Sequence, residues 1–184
     1  MTNRIIETSI EEAIRNRKNN LYIKLGYRSL IIRIVLLIII LYIVFSQFFL
    51  IKQVTGNGMF PAVKDGDLII GFRMQNKYLK NDVIEYKYND STYIGRILAL
   101  ENDVVNINDN GKVTVNGTVQ DGEIMYPTYI KEETDLEYPF RVPENCVFVL
   151  GDYRTQTEDS RDFGSISVKD IKGKIITILR RRGL

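Results

Sequence analysis

The sequence predicts a mainly β protein, in which one antiparallel β domain follows a single N-terminal transmembrane helix. Two observations predict this fold class. One long run of the chain carries no charged residue. After that run come short segments rich in β-branched and aromatic residues, separated by Gly, Asn and Asp, with no sustained helical period. The 184 residues suffice for one or two domains.

The uncharged run covers residues 34–51 and reads IVLLIIILYIVFSQFFLI. At about 1.5 Å per residue, a helix of this length just crosses a hydrocarbon core of roughly 30 Å. A buried core helix is the alternative, but a chain this small has little protein to surround one. A cleavable signal peptide is disfavoured because the run starts late and no small-x-small site follows it directly. We assign the transmembrane helix to residues 31–51.

The charges that flank this helix predict its orientation. Lys52 stands alone after the run, whereas basic residues outnumber acidic ones before it. The positive-inside rule then places residues 1–30 in the cytoplasm and residues 52–184 outside a cell membrane crossed once, with membrane lipid as a partner. Within the N-terminal segment, residues 5–18 show a short helical period. The preceding basic residues are Arg4, Arg15, Arg17, Lys18, Lys24, Arg28 and Arg33.

The segment 52–184 has the size of one domain, and its sequence pattern is typical of antiparallel sheet. Asn110-Gly111 and Asn116-Gly117 predict two tight turns between strands. Residues 123–143 hold three of the four prolines and show no alternation, so we expect a long surface loop there. The predicted strands read DLIIGFR, DVIEYKY, YIGRILAL, DVVNIND, KVTVNG, CVFVLGD and KIITILRRR.

Composition excludes several classes of function. The chain has no His, which removes His-based acid–base catalysis and metal sites that need imidazole. A net charge of +2 does not suggest a nucleic-acid partner. The single Cys146 lies in an apolar run and is expected to pack as a small hydrophobe. We expect no cofactor and no metal ion.

Three motifs after the apolar run carry the functional information. The first, residues 56–67, reads GNGMFPAVKDGD and contains no Ser, Cys, His or Thr. The second, residues 93–103, reads YIGRILALEND, and the third, residues 151–164, reads GDYRTQTEDSRDFG. In this order, and after an anchor, they resemble the motifs of the type I signal peptidase family of Gram-positive bacteria. The resemblance spans the anchor and nearly all of the outer domain, and it implies a signal-peptidase-like antiparallel β fold.

The resemblance also shows what is missing from this chain. The family motifs read Gly-x-Ser-Met-x-Pro-Thr and Lys-Arg-Val-Ile-Gly, and here the nucleophilic Ser position is Gly58 and the general-base Lys position is Gly95. A Ser attacks a peptide carbonyl only when a base removes its proton, and a Lys can do so when burial lowers its pKa. The chain therefore keeps no intact catalytic residue. Thr55, Lys64 and Lys87 are not expected to substitute.

The resemblance assigns two further groups of residues. Asp159 and Arg161 are expected to form an ion pair that braces the site, and a solvated, charge-rich turn is the alternative. Thr157 stands where the family has a Ser that touches the base, and Tyr153 where it has Asn. The substrate cleft is expected at Gly56, Asn57, Met59, Phe60 and Pro61; the structural box comprises Arg96, Asp152, Arg154, Thr157, Asp159, Ser160 and Arg161.

Catalytically inactive relatives in Gram-positive bacteria are associated with pilus assembly. The resemblance thus implies a membrane-anchored binding or chaperone factor for secreted or pilin precursors, working beside a sortase in protein secretion. One alternative is an active signal peptidase, a serine endopeptidase that removes signal peptides, with a displaced nucleophile. Another is an inactive regulatory subunit that pairs with an active signal peptidase.

Overall fold

The computed structural model describes residues 2–120, 126–131 and 134–180, and side chains are described from residue 15 onward. The chain divides into two compact units, residues 1–46 and 47–184. The first consists of most of one long helix, and the second is a β domain.

Helix α1 runs without interruption from Thr2 to Phe48. The short helix predicted for residues 5–18 is therefore only the start of α1, since no proline interrupts the chain before residue 61. Residues Arg15–Phe48 are long and apolar enough to cross a membrane, judged by length and composition alone. The helix also ends earlier than predicted. Residues 49–51, which we assigned to the transmembrane helix, begin the first strand instead.

The β domain is built from antiparallel strands, as the sequence predicted, and these strands form two sheets. The larger sheet has the order β1-β2-β11-β3-β4-β9-β10, and the smaller one the order β7-β6-β5-β8. A short helix α2, Ser160–Phe163, follows β9. The strands are β1 Phe49–Gln53, β2 Leu68–Phe72, β3 Val83–Tyr88, β4 Ser91–Ala99, β5 Val104–Ile107, β6 Val113–Val115, β7 Thr118–Val119, β8 Phe140–Arg141, β9 Cys146–Leu150, β10 Ile166–Ser167 and β11 Ile171–Leu179.

Three apolar clusters form the core of the β domain. One lies beneath the β3–β4–β9 part of the larger sheet and one against the smaller sheet, where the half-buried Cys146 packs. The third lies under the loop between β1 and β2, the loop that contains the first motif. We call it the loop cluster; its buried members are Val54, Met59, Val63, Ile69 and Ile175. The first motif is thus held on a packed apolar base.

The tight turn predicted at Asn116-Gly117 is confirmed, whereas Asn110-Gly111 lies in a longer connection between Ile107 and Val113. Asn116 and Gly117 both have positive φ, 52° and 79°, and form the two-residue turn between β6 and β7. Part of the predicted loop over residues 123–143 falls outside the described residues. At its C-terminal end the loop prediction is wrong: Phe140 and Arg141 pair with β5, because the Phe140 ring packs 5.5 Å from the ring of Phe148.

Candidate functional site

The first motif is a closed loop between β1 and β2. The Val54 N–H donates to Asp67 O at 2.8 Å, and the Gly66 N–H donates to Val54 O at 2.9 Å, which joins the two ends of the loop. The Gly56 N–H donates to Asp65 Oδ1 at 2.8 Å. Gly56 has φ +88°, a conformation that favours glycine. The loop therefore has a defined shape.

The apolar residues of this loop hold it to the domain. Met59, which was expected in the substrate cleft, is 2% exposed, and its side chain packs in the loop cluster instead. Phe60 and Pro61 are half-buried, and the Phe60 ring lies 6.1 Å from the ring of Tyr153. Asn57 is exposed. These contacts fix the backbone on both sides of Gly58.

Gly58 lies against the third motif. Its carbonyl oxygen accepts a hydrogen bond from the Tyr153 N–H at 3.0 Å. A Cβ atom built at Gly58 would lie 3.0 Å from Thr157 Cγ2, a tight contact with a side-chain methyl group. A small side chain at Gly58 thus needs only a slight movement of Thr157.

Gly95 lies in the middle of β4 and is buried. A Cβ atom built there would lie 2.5 Å from Val149 Cγ1, and 3.3 Å from both Leu150 O and Tyr86 Cε1. The first of these distances is a clash. The space into which a side chain at Gly95 would extend is therefore occupied by Val149 and Tyr86.

Tyr86 is fully buried beside Gly95. Its hydroxyl has no hydrogen-bond partner within the described part of the chain. Burial, and after it the Asp159 carboxylate, raises the pKa of Tyr86 above its ordinary value, so the phenol stays neutral. Its ring stacks on Tyr93 with the ring centroids 5.8 Å apart. An aromatic group with an unsatisfied hydroxyl thus borders the position where the resemblance places the base.

The third motif forms a buried polar network around α2. Arg161 donates from Nη2 to Asp159 Oδ2 and from Nε to Asp159 Oδ1, both at 2.8 Å. Asp159 and Arg161 are 1% and 2% exposed, so the solvated turn considered as an alternative does not describe this segment. Asp159 also caps α2 by accepting from the Arg161 N–H, and it accepts from the Thr157 hydroxyl at 3.1 Å. The ion pair is the centre of the network.

The other box residues extend the network to the neighbouring strands. Arg96 on β4 forms a two-pronged pair with Asp152, at 2.9 Å and 2.6 Å. Ser160 Oγ accepts from the Val149 N–H at 2.9 Å, which connects α2 to β9. Two contacts of the box residues thus connect the network to the strands: Arg96–Asp152 links it to β4, and Ser160–Val149 links it to β9.

Arg154 is a buried cation within this network. Its Nε donates to Gly151 O at 2.8 Å and its Nη1 to Thr128 Oγ1 at 2.6 Å. Burial lowers the pKa of Arg154 to about 10, while the Asp159 carboxylate acts to raise it. Arg154 therefore stays protonated at neutral pH and keeps its donors.

The residues considered as substitutes make contacts of other kinds. Thr55 is exposed, Lys64 Nζ lies 5.6 Å from the centre of the Phe60 ring, and Lys87 pairs with Asp90 at 3.5 Å. Among the described side chains, no group of three or more His, Cys, Asp or Glu is placed to hold a metal ion.

Three contacts near the site were not predicted from the sequence. Lys131 donates to Thr157 O at 3.0 Å and pairs with Asp162, and the Tyr93 hydroxyl donates to Glu158 at 2.9 Å. They join residues far apart in sequence, and no motif contains both partners.

Within the described part of the chain, one edge of β4 is open in the half of the strand that precedes Gly95. β4 pairs with β3 from Ser91 to Arg96, but its pairing with β9 covers only Arg96 to Ala99. Among the described strands, none pairs with residues 91–94 on that second side. Ile94, at the end of this free edge, packs against the loop cluster. Such an edge can accept another strand through main-chain hydrogen bonds.

The clash at Gly95 gives a stability prediction. Gly95→Ala should lower the free energy of unfolding by about 1–3 kcal/mol, as overpacked cores do. Gly58→Ala should cost less than about 1 kcal/mol, since only the Thr157 methyl group must move. Denaturant unfolding of the full chain in detergent measures both. A Gly95→Ala chain as stable as wild type would contradict the packing described. The double change Gly95→Ala/Val149→Ala should lower the free energy of unfolding by less than the sum of the two single changes.

The unsatisfied hydroxyl gives a second stability prediction. Tyr86→Phe should raise the free energy of unfolding by about 1 kcal/mol, because it removes a buried hydroxyl that has no hydrogen-bond partner among the described residues. The control is Tyr93→Phe, which removes a hydroxyl that is hydrogen-bonded to Glu158 and should leave stability unchanged or slightly lower. Thermal unfolding followed by circular dichroism compares the two. A loss of stability in Tyr86→Phe would mean that the hydroxyl is hydrogen-bonded.

Known proteins are similar to most of this chain. Residues 27–179 match the family model described as signal peptidase, peptidase S26. Probable thylakoidal processing peptidase 2 of Arabidopsis thaliana is 32% identical over 139 residues, covering 68% of this chain and 36% of that protein. Signal peptidase I S of Bacillus subtilis is 27% identical over 158 residues, covering 79% of this chain and 83% of that protein.

A solved signal peptidase I from Enterococcus faecalis is 23% identical with a TM-score of 0.44, covering 55% of this chain and 98% of that one. The matches to the two Arabidopsis peptidases span about two fifths of their length, 36% and 40%. The family model, in contrast, covers most of this chain, including all three motifs. The chain therefore belongs to the peptidase S26 signal peptidase family.

Proposed function

We propose that the chain is a membrane-anchored signal-peptidase-like protein that binds extended segments of its clients and does not cleave them. One observation carries the proposal. Both positions at which the family places its reacting groups are glycines, and at Gly95 the side-chain space is already filled by Val149 and Tyr86. The site retains the surrounding framework without the groups that react.

The chemical reason is that neither half of a dyad works alone. Gly58 has no hydroxyl to attack a carbonyl, and Gly95 has no amine to take up a proton. Members of a catalytic unit act together, so the loss of one removes nearly all of the rate enhancement. The loss of both supports a protein selected for binding.

Binding needs the open edge of β4 and the loop that carries Gly58, and both are in place. An extended client segment can add as a strand beside residues 91–94, with main-chain hydrogen bonds providing affinity. The loop cluster then provides an apolar floor through its partly buried neighbours Ala62, Val83 and Ile94. The Asp159–Arg161 pair holds the third motif against Gly58.

The clients in this proposal are secreted or pilin precursors, and the protein assists them beside a sortase at the cell membrane. Residues 1–30 then face the cytoplasm and the β domain faces outward. This part of the proposal rests on the resemblance to inactive family members and on the apolar helix α1. Co-purification of the full chain from detergent tests it, because a preparation that brings down neither a precursor nor a pilin would count against these clients.

A displaced nucleophile is the second candidate, and one contact favours it. Thr157 is the residue that an added side chain at Gly58 would meet, and it carries a hydroxyl. That hydroxyl donates to Asp159 Oδ2 and accepts from Arg161 Nη2 at 3.3 Å. Asp159 Oδ2, which accepts from this hydroxyl, already accepts hydrogen bonds from Arg161 Nη2 and from the Gly151 N–H, and these contacts argue against proton transfer from Thr157 to Asp159. A family-directed acylating inhibitor that labels Thr157 would favour this candidate.

Site-specific cross-linking tests the binding proposal directly. Thr92 is exposed on the open half of β4, and Thr118 is exposed on β7 of the smaller sheet. In a Cys146→Ala background, Thr92→Cys should form a disulfide with a secretory precursor that carries a single Cys near its cleavage region. Thr118→Cys, the matched control, should form several-fold less. Equal yields at the two positions would contradict binding along β4.

A further inference from the structure

A buried carboxylate lies next to the proposed cleft. Glu85 on β3 is 3% exposed and sits opposite Ile94 of β4 and Gly173 of β11. Its Oε1 accepts from Lys52 Nζ at 2.8 Å. Lys52 lies on β1, and its side chain is 41% exposed, whereas that of Glu85 is 4% exposed. In this pair the Glu85 carboxylate is buried and the Lys52 ammonium is partly exposed to solvent.

Stability alone gives a weak reason for this pair. Removing a carboxylate from water is costly, and a well-packed apolar pair of similar volume usually stabilises a fold at least as well. An ion pair whose cation remains partly solvated adds little. Glu85 is paired across the sheet with Ile94 and lies two residues after Val83 on the same strand, and both of these partly buried residues pack against the loop cluster. A charge at this place is therefore better explained by recognition.

The position of the pair connects it to the client path. Lys52 precedes by two residues Val54, where the loop containing Gly58 begins. Glu85 is paired across the sheet with Ile94, at the end of the open half of β4. The ion pair therefore joins β1, which leads into the loop with Gly58, to β3, which is the neighbour of the open half of β4.

We propose that Lys52, held by Glu85, selects client segments that carry an acidic side chain. A client Asp or Glu can reach the exposed ammonium without breaking the pair and gains a charge-assisted hydrogen bond. A client Lys or Arg meets the same ammonium first and is repelled. This inference rests on the proposed function, since it concerns the strand that β4 would receive.

The test measures binding of synthetic peptides to the full chain in detergent by fluorescence anisotropy. The peptides are extended Ala/Ser/Thr sequences in which one Glu, Ala or Lys is moved along the chain. At one position, Glu should bind about fivefold more tightly than Ala and Lys more weakly than Ala, with the difference shrinking as salt rises. Lys52→Met should abolish the difference, and Glu85→Gln, which leaves the cation without its described partner, should enlarge it.

Exchange of the two charges separates recognition from a structural role. In Lys52→Glu/Glu85→Lys the exposed group becomes an anion, so the preference should invert towards Lys. If the pair has only a structural role, these variants should change the unfolding temperature and leave the order of the peptide affinities unaltered. Equal binding of Glu, Ala and Lys peptides at every position overturns the inference and leaves the proposed function standing. If no peptide binds at all, the proposed function fails and the inference fails with it.

Discussion

The ion pair between Asp159 and Arg161 is the interaction on which the rest of the site depends. Both groups are almost fully buried, and they are joined by two hydrogen bonds of 2.8 Å. Asp159 also accepts from the Gly151 N–H at 3.1 Å, and Arg161 donates to Arg154 O at 2.7 Å. Removing one partner of such a pair leaves an uncompensated buried charge, at a cost of about 3–5 kcal/mol. The third motif therefore keeps its shape independently of any catalytic group.

For that reason the contacts that shape the site do not depend on a catalytic side chain. The loop around Gly58 rests on the third motif through Tyr153 and Thr157, and on the apolar base through Met59. None of these contacts requires a Ser at Gly58 or a Lys at Gly95. At Gly95 the space for a side chain is occupied by Val149, so a lysine there would clash with the Val149 side chain. A Ser at Gly58 and a Lys at Gly95 would thus require repacking as well as two new side chains.

The sequence predicted the parts of the fold that follow from local patterns. Alternating strands and Asn-Gly turns depend on neighbouring residues, and the three motifs located both glycines and the buried box by spacing. The end of α1 was misplaced because residues 49–51 are as apolar as the helix before them, and only pairing with β2 makes them a strand. The two-residue strands β8 and β10 likewise exist only through their partners.

The site was predictable to a similar degree. The glycines and the Asp159–Arg161 pair lie within short motifs, so their positions could be read from the chain. The packing of Tyr86 and Val149 against Gly95 brings together three different strands. The Lys52–Glu85 pair joins residues 33 positions apart. Contacts of this kind arise from the tertiary fold, and no local pattern in the sequence indicates them.

Cleavage of a secretory precursor by the full wild-type chain in detergent tests the central claim most directly. It should be run beside Gly58→Ser/Gly95→Lys/Val149→Ala, which supplies the nucleophile, the base and room for the base. The account predicts no cleavage by wild type at any precursor concentration, while cross-linking shows that the precursor is bound. Cleavage by the wild-type chain at a signal-peptide junction would contradict it.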